Sequence, residues 1–221
     1  MHKVMAADIF VYLDTVQYSK NGLQNRNQIK SAQGPLWLTV PVKQHLGLEI
    51  RELEIADTRA TTKHFKTLQA NYARSEGFRN WSSELETLLN SEHTRMSELA
   101  IASTEWMLDK LGVQTKRVKA SDLNGVEGES SDRVASICKL LDADVYLTGR
   151  GALSYLESSD FEANSCTVMV QEWQPFEYPQ CFPETGFIPD LAAIDLILNC
   201  PNEAANLIET AGSWSKLENF V

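Results

Sequence analysis

The sequence predicts an α/β fold, a mostly parallel sheet with helices on both faces of the Rossmann-like nucleotide-binding type, in one domain over residues 1–221. Three observations carry this. The run from Ile9 to Leu13 is unbroken, apolar and rich in β-branched and aromatic residues, as in a strand covered on both faces. Helix-period stripes then alternate with short apolar strands. Finally, 221 residues with 43% hydrophobic content are enough to bury a core without disulfides or metal.

The elements follow in order. Residues 14 to 30 turn almost wholly polar, with the hairpin signal Asn21-Gly22 and a run of amides, and read as a loop. Trp37 to Val42, entered from Gly34-Pro35 and broken by Pro41, reads as a strand. Ile50 to Ile55 alternates apolar and charged residues like an edge strand. Thr61 or Thr62 is placed to cap a helix whose Phe65, Leu68 and Tyr72 share a face. Helices follow over 82–90 (Leu85, Leu88, Leu89) and 94–111 (Met96, Leu99, Ser103, Trp106, Met107), the latter closed by Gly112. Ser130 or Ser131 starts a helix with Val134, Ile137, Cys138 and Leu141 inward, and Val145 to Leu147 is a strand. The turn Thr148-Gly149-Arg150-Gly151 leads to a helix over 152–157, and Thr167 to Trp173 is a strand. A loop with four prolines over 175–189 precedes helices over 190–200 and 202–211, divided by Pro201.

Charge is uneven. Residues 1–80 carry eleven Lys and Arg against seven Asp and Glu, and residues 81–221 carry nine against twenty-three, giving −10 overall. That balance excludes nucleic acid as the main partner, because such affinity needs many phosphate contacts at once, but leaves a small anion compatible with the first third. Cys138, Cys166, Cys181 and Cys200 form no Cys-x-x-Cys pair, so they read as reduced thiols of a cytoplasmic protein. No apolar stretch approaches a membrane span, and the run from Ile9 to Leu13 is too short and acid-flanked for a signal peptide, so no membrane insertion is expected. His2, His45, His64 and His93 lack the paired spacing of a metal site, so no metal is expected, and no nucleophile elbow, Walker loop or dinucleotide fingerprint is present.

What remains is polar recognition. Asp14, Gln17, Asn25, Arg26 and Asn27 lie in one loop that leaves the carboxyl end of the first strand, where ligands of parallel sheets bind. Amides with one guanidinium suit a hydroxyl-rich or phosphorylated small molecule such as a sugar nucleotide; the alternative is that Asp and Asn cap turns. Gly149 and Arg150 sit between a strand and a helix start, where backbone N–H groups favour an anion, or simply make a tight turn. His64 borders the apolar stripe of its helix and is the candidate base, since its ordinary pKa of about 6.5 lies nearest working pH. Asp195 falls inside an apolar helix with Asn199 one turn on, so it is either paired structurally or reaches a pocket. Tyr178 and Gln180 in the proline-rich loop are candidate pocket residues.

A resemblance adds to this. Asp14-x-x-Gln17-Tyr18-Ser19-Lys20, Gln24-Asn25-Arg26-Asn27-x-Ile29-Lys30 and Trp37 to Val42 resemble motifs of the WbqC-like family of bacteria. So do Lys63-His64 with Leu68, Asn71 and Tyr72, then Ala143-Asp144-x-Tyr146-Leu147-x-Gly149, Tyr155-Leu156, Tyr178-Pro179-Gln180 and Asp195-Leu196. The resemblance implies a link to O-antigen and other surface-polysaccharide gene clusters, and a suggested role in transferring an aminoacyl group, glycine, to an amino sugar. The expected function is therefore a transferase that joins an acyl or aminoacyl group to an amino sugar or nucleotide sugar, in which Asp14, Gln17, Asn25, Arg26 and Asn27 would orient the sugar or its phosphates, Tyr178 and Gln180 would line the far wall, and Asp195 would hold a donor group. The family usually carries a leader segment before the part matching Met1 to Asp8, so the resemblance also implies a shortened amino terminus. Ala192 and Cys200 stand where the family tends to have serine and glycine. Two other readings stay open, a non-catalytic binding or scaffold protein or truncated inactive paralogue, and an ATP-dependent adenylating enzyme. The cofactor, the sugar, the donor and the oligomeric state are left unspecified.

Overall fold

The computed structural model describes residues 1–20 and 22–220, so Asn21 of the expected Asn21-Gly22 turn lies outside the described residues. In chain order the elements are α1 (His2–Met5), β1 (Ile9–Tyr12), β2 (Arg26–Ser31), β3 (Gly34–Thr39), β4 (Val42–Lys43) and β5 (Glu54–Ile55). Next come α2 (Arg59–Tyr72), α3 (Glu76–Asn90), α4 (Met96–Lys110), β6 (Lys116–Lys119) and α5 (Ser130–Leu140). The chain ends with β7 (Val145–Thr148), α6 (Ser158–Glu162), β8 (Thr167–Trp173), α7 (Ala193–Asn199), α8 (Ala204–Thr210) and β9 (Gly212–Lys216). The fold is mixed α/β with small sheets.

The chain divides into two compact units, one of Met1–Leu13, Gln114–Pro175 and Leu207–Val221, the other of Asp14–Val113 and Phe176–Asn206. The first unit holds the parallel pairs. β1 runs parallel to β6, and β7 runs parallel to β8, which pairs antiparallel with β9. Val134, Ala135 and Cys138 of α5 pack with Phe161, Cys166 and Val168 to form a core there. At its amino end, the His2 ring stacks on Trp214 with centroids 5.2 Å apart and meets the Gln171 amide at 2.8 Å. Gly212 leaves room for that ring, since a Cβ at this position would overlap it.

The second unit is helical with two short antiparallel pairs. β2 and β3 form a six-residue hairpin from Arg26↔Thr39 to Ser31↔Gly34, and β4 pairs with β5. Ile29 and Val40 of this region pack on Phe65, Leu68 and Tyr72 of α2, Phe78, Leu85 and Leu89 of α3, Met96 and Leu99 of α4, and Leu198 of α7. The apolar periodicity of α2 and α3 faces this core as expected, and Ser75 caps α3 through its hydroxyl, which accepts the Phe78 N–H. Gly112 at φ +70° terminates α4, a conformation open to glycine without strain.

Several expectations are corrected. A mostly parallel sheet is not formed: among the described residues, two strand pairs are parallel and three antiparallel. β1 is half-buried along its length, where coverage on both faces was expected. The end of the polar loop is a strand, because Arg26–Ser31 finds its partner in Gly34–Thr39, which local polarity does not reveal. Ile50–Glu52 is a 3-10 turn whose Glu49 and Glu52 satisfy its backbone, leaving only Glu54–Ile55 extended. Arg150–Ser154 is likewise a 3-10 turn. No helix among the described residues is long and apolar enough to cross a membrane.

Gly77 marks the tightest contact in the second unit. A Cβ there would lie 2.6 Å from the Ile197 carbonyl oxygen and 2.8 Å from the Leu198 Cα, so α3 and α7 meet backbone to backbone. Gly77→Ala is expected to cost about 1–3 kcal/mol of unfolding free energy by overpacking. Gly151→Ala, which meets nothing within 4 Å, should leave chemical denaturation within experimental error and serves as the control.

Candidate functional site

The second unit contains a pocket of about 260 Å³ between the β2–β3 hairpin and helices α2, α3 and α4. Its walls are apolar: Ile29, Leu38 and Val40 from the hairpin region, Leu68 from α2, Leu85, Leu88 and Leu89 from α3, and Met96, Leu99, Trp106 and Met107 from α4. Space exists because α4 presents the small Ala100, Ser103 and Thr104 to the leucines of α3. Those two hydroxyls are turned onto their own helix, donating to the Ala100 carbonyl at 3.0 and 2.8 Å, so the interior offers little polarity. Besides Ser103 and Thr104, the polar lining consists of Gln24, Asn25, Arg26, Asn27 and His64, and the exposed Leu23 and Asn27 mark the opening.

The amide-rich segment therefore does border a recess, but the pocket is positioned by a hairpin and three helices within one unit, not by parallel strand ends. Asn25, Arg26 and Asn27 line it; Asp14 and Gln17 do not. The buried Asn25 amide is spent on the fold, donating to the Val40 carbonyl at 2.8 Å and accepting the Tyr18 hydroxyl at 3.1 Å. The Arg26 guanidinium lies 4.5 Å from the centroid of the Trp37 ring, with Nε donating to the Gly22 carbonyl. Asn27 Oδ1 accepts the Gln28 N–H at 2.8 Å. Asp14 is buried and its backbone carbonyl accepts the Arg51 N–H, and Gln17 forms a bridge with Glu49.

His64 Nε2 lies 3.2 Å from the Thr39 carbonyl oxygen. A carbonyl only accepts, so Nε2 carries the proton and Nδ1 keeps its lone pair. Burial holds the pKa of this imidazole below its ordinary value of 6.5, partly opposed by the Thr39 hydrogen bond, so the ring is a neutral base at neutral pH.

Asp195, Tyr178 and Gln180 gather elsewhere in the unit and do not line the pocket. Asp195 has 0% exposure. Its carboxylate accepts the hydroxyl of Tyr72, the hydroxyl of Tyr178 at 2.9 Å and the Asn199 amide at 3.1 Å. Burial, then the Asp195 charge, push both phenols far above their usual range, so both remain protonated donors. Tyr72 in turn accepts the Lys30 backbone N–H at 2.9 Å. Asn199 Oδ1 accepts the Cys181 N–H and thiol, each at 3.1 Å. Gln180 clamps the Ile188 backbone with two bonds of 2.8 and 3.0 Å. Of the two sequence readings of Asp195, this geometry matches the structural pairing.

Gly149 and Arg150 belong to the first unit. Arg150 Nη2 is 4.0 Å from Glu172 Oε2 and its guanidinium sits 5.4 Å from the Phe220 ring centroid. No group of three His, Cys, Asp or Glu side chains suited to a metal occurs among the described residues. Sequence reasoning missed two features. Lys30, 1% exposed with Nζ 2.5 Å from the Gly186 carbonyl, gave no burial signal in a polar run. The pocket wall was read as core; Ala100, Ser103 and Thr104 in sequence on an apolar helix were the available sign of missing volume.

Known proteins bear on this geometry. The sequence model of the WbqC-like protein family matches residues 1–207. The chain is 30% identical over 205 residues to the uncharacterized protein Rv1507c of Mycobacterium tuberculosis (strain ATCC 25618 / H37Rv), covering 91% of this chain and 87% of that one. No solved structure matches the chain.

Tyr72→Phe removes one donor from a fully buried carboxylate and is expected to cost about 1–3 kcal/mol of stability. Urea unfolding measures it, and an unchanged midpoint would contradict the anchoring assigned to Asp195.

Proposed function

Because the chain belongs to the WbqC-like protein family, we propose that it is a transferase of surface-glycan assembly that joins an acyl group to the amine of a sugar. The observation that carries this reading is the pocket itself, lined mostly by apolar side chains, with His64 and the segment from Gln24 to Asn27 as its polar part beside the inward-bonded hydroxyls of Ser103 and Thr104. An apolar cavity of about 150 Å³ accommodates benzene. A pocket of about 260 Å³ with leucine and methionine walls suits an acyl chain of moderate length. Glycine, the donor group that the resemblance implies, would leave most of this surface without a partner, so an acyl donor is favoured over an aminoacyl one.

The chemistry balances with the residues at the rim. The sugar amine nitrogen forms a bond to the acyl carbon of an activated donor such as a thioester. His64 Nδ1 takes the proton from that nitrogen, and the donor's leaving group departs with its bonding electron pair. Arg26 and Asn27, at the opening, orient the sugar or its phosphates; Asn25 supports them through the fold. Asp195, Tyr178 and Gln180 act by fixing the unit, and Gly149 and Arg150 of the other unit remain a candidate anion-binding turn.

A binding protein without turnover is the second reading, favoured by the spent amides of Asn25 and Asn27. The two separate by kinetics. His64→Asn is expected to lower turnover about 10²–10⁴-fold while retaining ligand affinity. Calorimetry with octanoate should show binding that Ala100→Trp abolishes by filling the cavity. Octanoate bound equally by both proteins would remove the pocket from the account.

The pH profile follows from the lowered pKa of His64. With the base neutral above that pKa, kcat/KM is expected to be flat through neutrality and to fall as pH drops through a value below 6.5. A midpoint above 6.5 would contradict His64 as the base.

A further inference from the structure

We propose that two loops tied together by Tyr18, one of them bordering the pocket, dock on the surface of an anionic lipid bilayer. Leu46 is 99% exposed and Leu23 is 67% exposed, the two most exposed large apolar side chains of the described residues. They sit on adjoining loops that Tyr18 ties together. Its backbone N–H donates to the Leu48 carbonyl at 2.9 Å, and its hydroxyl donates to Asn25 at 3.1 Å and accepts the Gln44 amide at 3.5 Å. On the Leu23 side, the Ser19 N–H donates to Gln24 Oε1 at 2.9 Å. The leucines are thus held on bonded loops with most of their surface outward, and Leu46 buries almost nothing in the fold.

Charge selects the occupant. Between Asp14 and Glu49 lie 34 residues with four Lys and Arg and no Asp or Glu, in a chain whose net charge is −10. Lys30 is buried, which leaves Lys20, Arg26 and Lys43 on or next to these loops; Lys43 also pairs with Glu54 at 2.8 Å. Leucines reaching below headgroups whose phosphates meet lysine and arginine form the usual pairing of peripheral membrane contact. The rest of the chain is net acidic, so attraction to anionic headgroups falls to the acid-free segment. This contact is interfacial and needs no spanning helix.

Leu23 additionally lines the pocket, so a docked protein would open its apolar interior toward lipid. The docking stands on the loops and their charge; the passage of an acyl chain from bilayer to pocket rests on the acyl-transfer reading.

Sedimentation of the full chain with vesicles tests it. Binding to phosphatidylglycerol vesicles is expected to exceed binding to phosphatidylcholine vesicles roughly tenfold at low salt and to weaken as salt is raised. The double variant Leu46→Glu, Lys20→Glu, neither residue lining the pocket, should lose that binding with an unchanged Tm. It should keep octanoate affinity measured without vesicles. Failure to bind phosphatidylglycerol vesicles, or equal binding by the double variant, would overturn the docking. So would a concentration-dependent dimer that the same variant dissociates, since a second copy would then cover the leucines. Loss of octanoate binding in the unaltered protein, with vesicle binding intact, would instead overturn the acyl reading alone.

Discussion

The second unit is organised around a carboxylate with no access to water. Asp195 is tolerable inside α7 only because Tyr72 from α2, Tyr178 from the proline-rich loop and Asn199 one turn along all donate to it. Two of these donors also bind another segment. Tyr72 holds the backbone of β2 at Lys30, and Asn199 holds the loop at Cys181. The charge therefore fixes three segments distant in sequence to one point, and with Gly77 permitting α3 to touch α7, it sets where the hairpin lies over the helices. The pocket is the space left between them.

That pocket changes the balance of the chemistry. Amides and an arginine in one segment suggest polar recognition, yet folding consumes much of their capacity: Asn25 closes on Val40 and Tyr18, and Arg26 lies on Trp37. The larger surface offered to a ligand is hydrocarbon from α3 and α4. His64 stands between the two zones. Its bond to Thr39 decides the tautomer, and its partial burial keeps it neutral, so one local arrangement supplies both the orientation and the protonation state of a base.

How much of this was legible in the sequence depends on the range of the cause. Helices α2 and α3 and strand β8 could be read because their apolar periodicity is local, and the turn at Gly112 because the conformation itself requires glycine. Strand β2 could not, since a polar segment becomes a strand only through its partner. Strand direction was also beyond reach. The alternation of helices and strands implied a parallel sheet, while β2–β3, β4–β5 and β8–β9 pair antiparallel. Of the residues singled out in the sequence, Asn25 to Asn27 and His64 line the pocket, but their common apolar wall was not visible, because a cavity is a deficit of volume among residues that look like core. Asp195 was visible as an anomaly, whereas its partners come from residues as far as 123 positions away.

The claim on which the account rests is that the space between α3, α4 and the hairpin receives a hydrocarbon chain. A crystal grown with 8-bromooctanoate tests it directly through the anomalous signal of bromine. The account predicts a single strong peak among Leu85, Leu99 and Met107, with the carboxylate end toward His64 and Arg26. A vacant pocket with bromine located elsewhere on the molecule would contradict it.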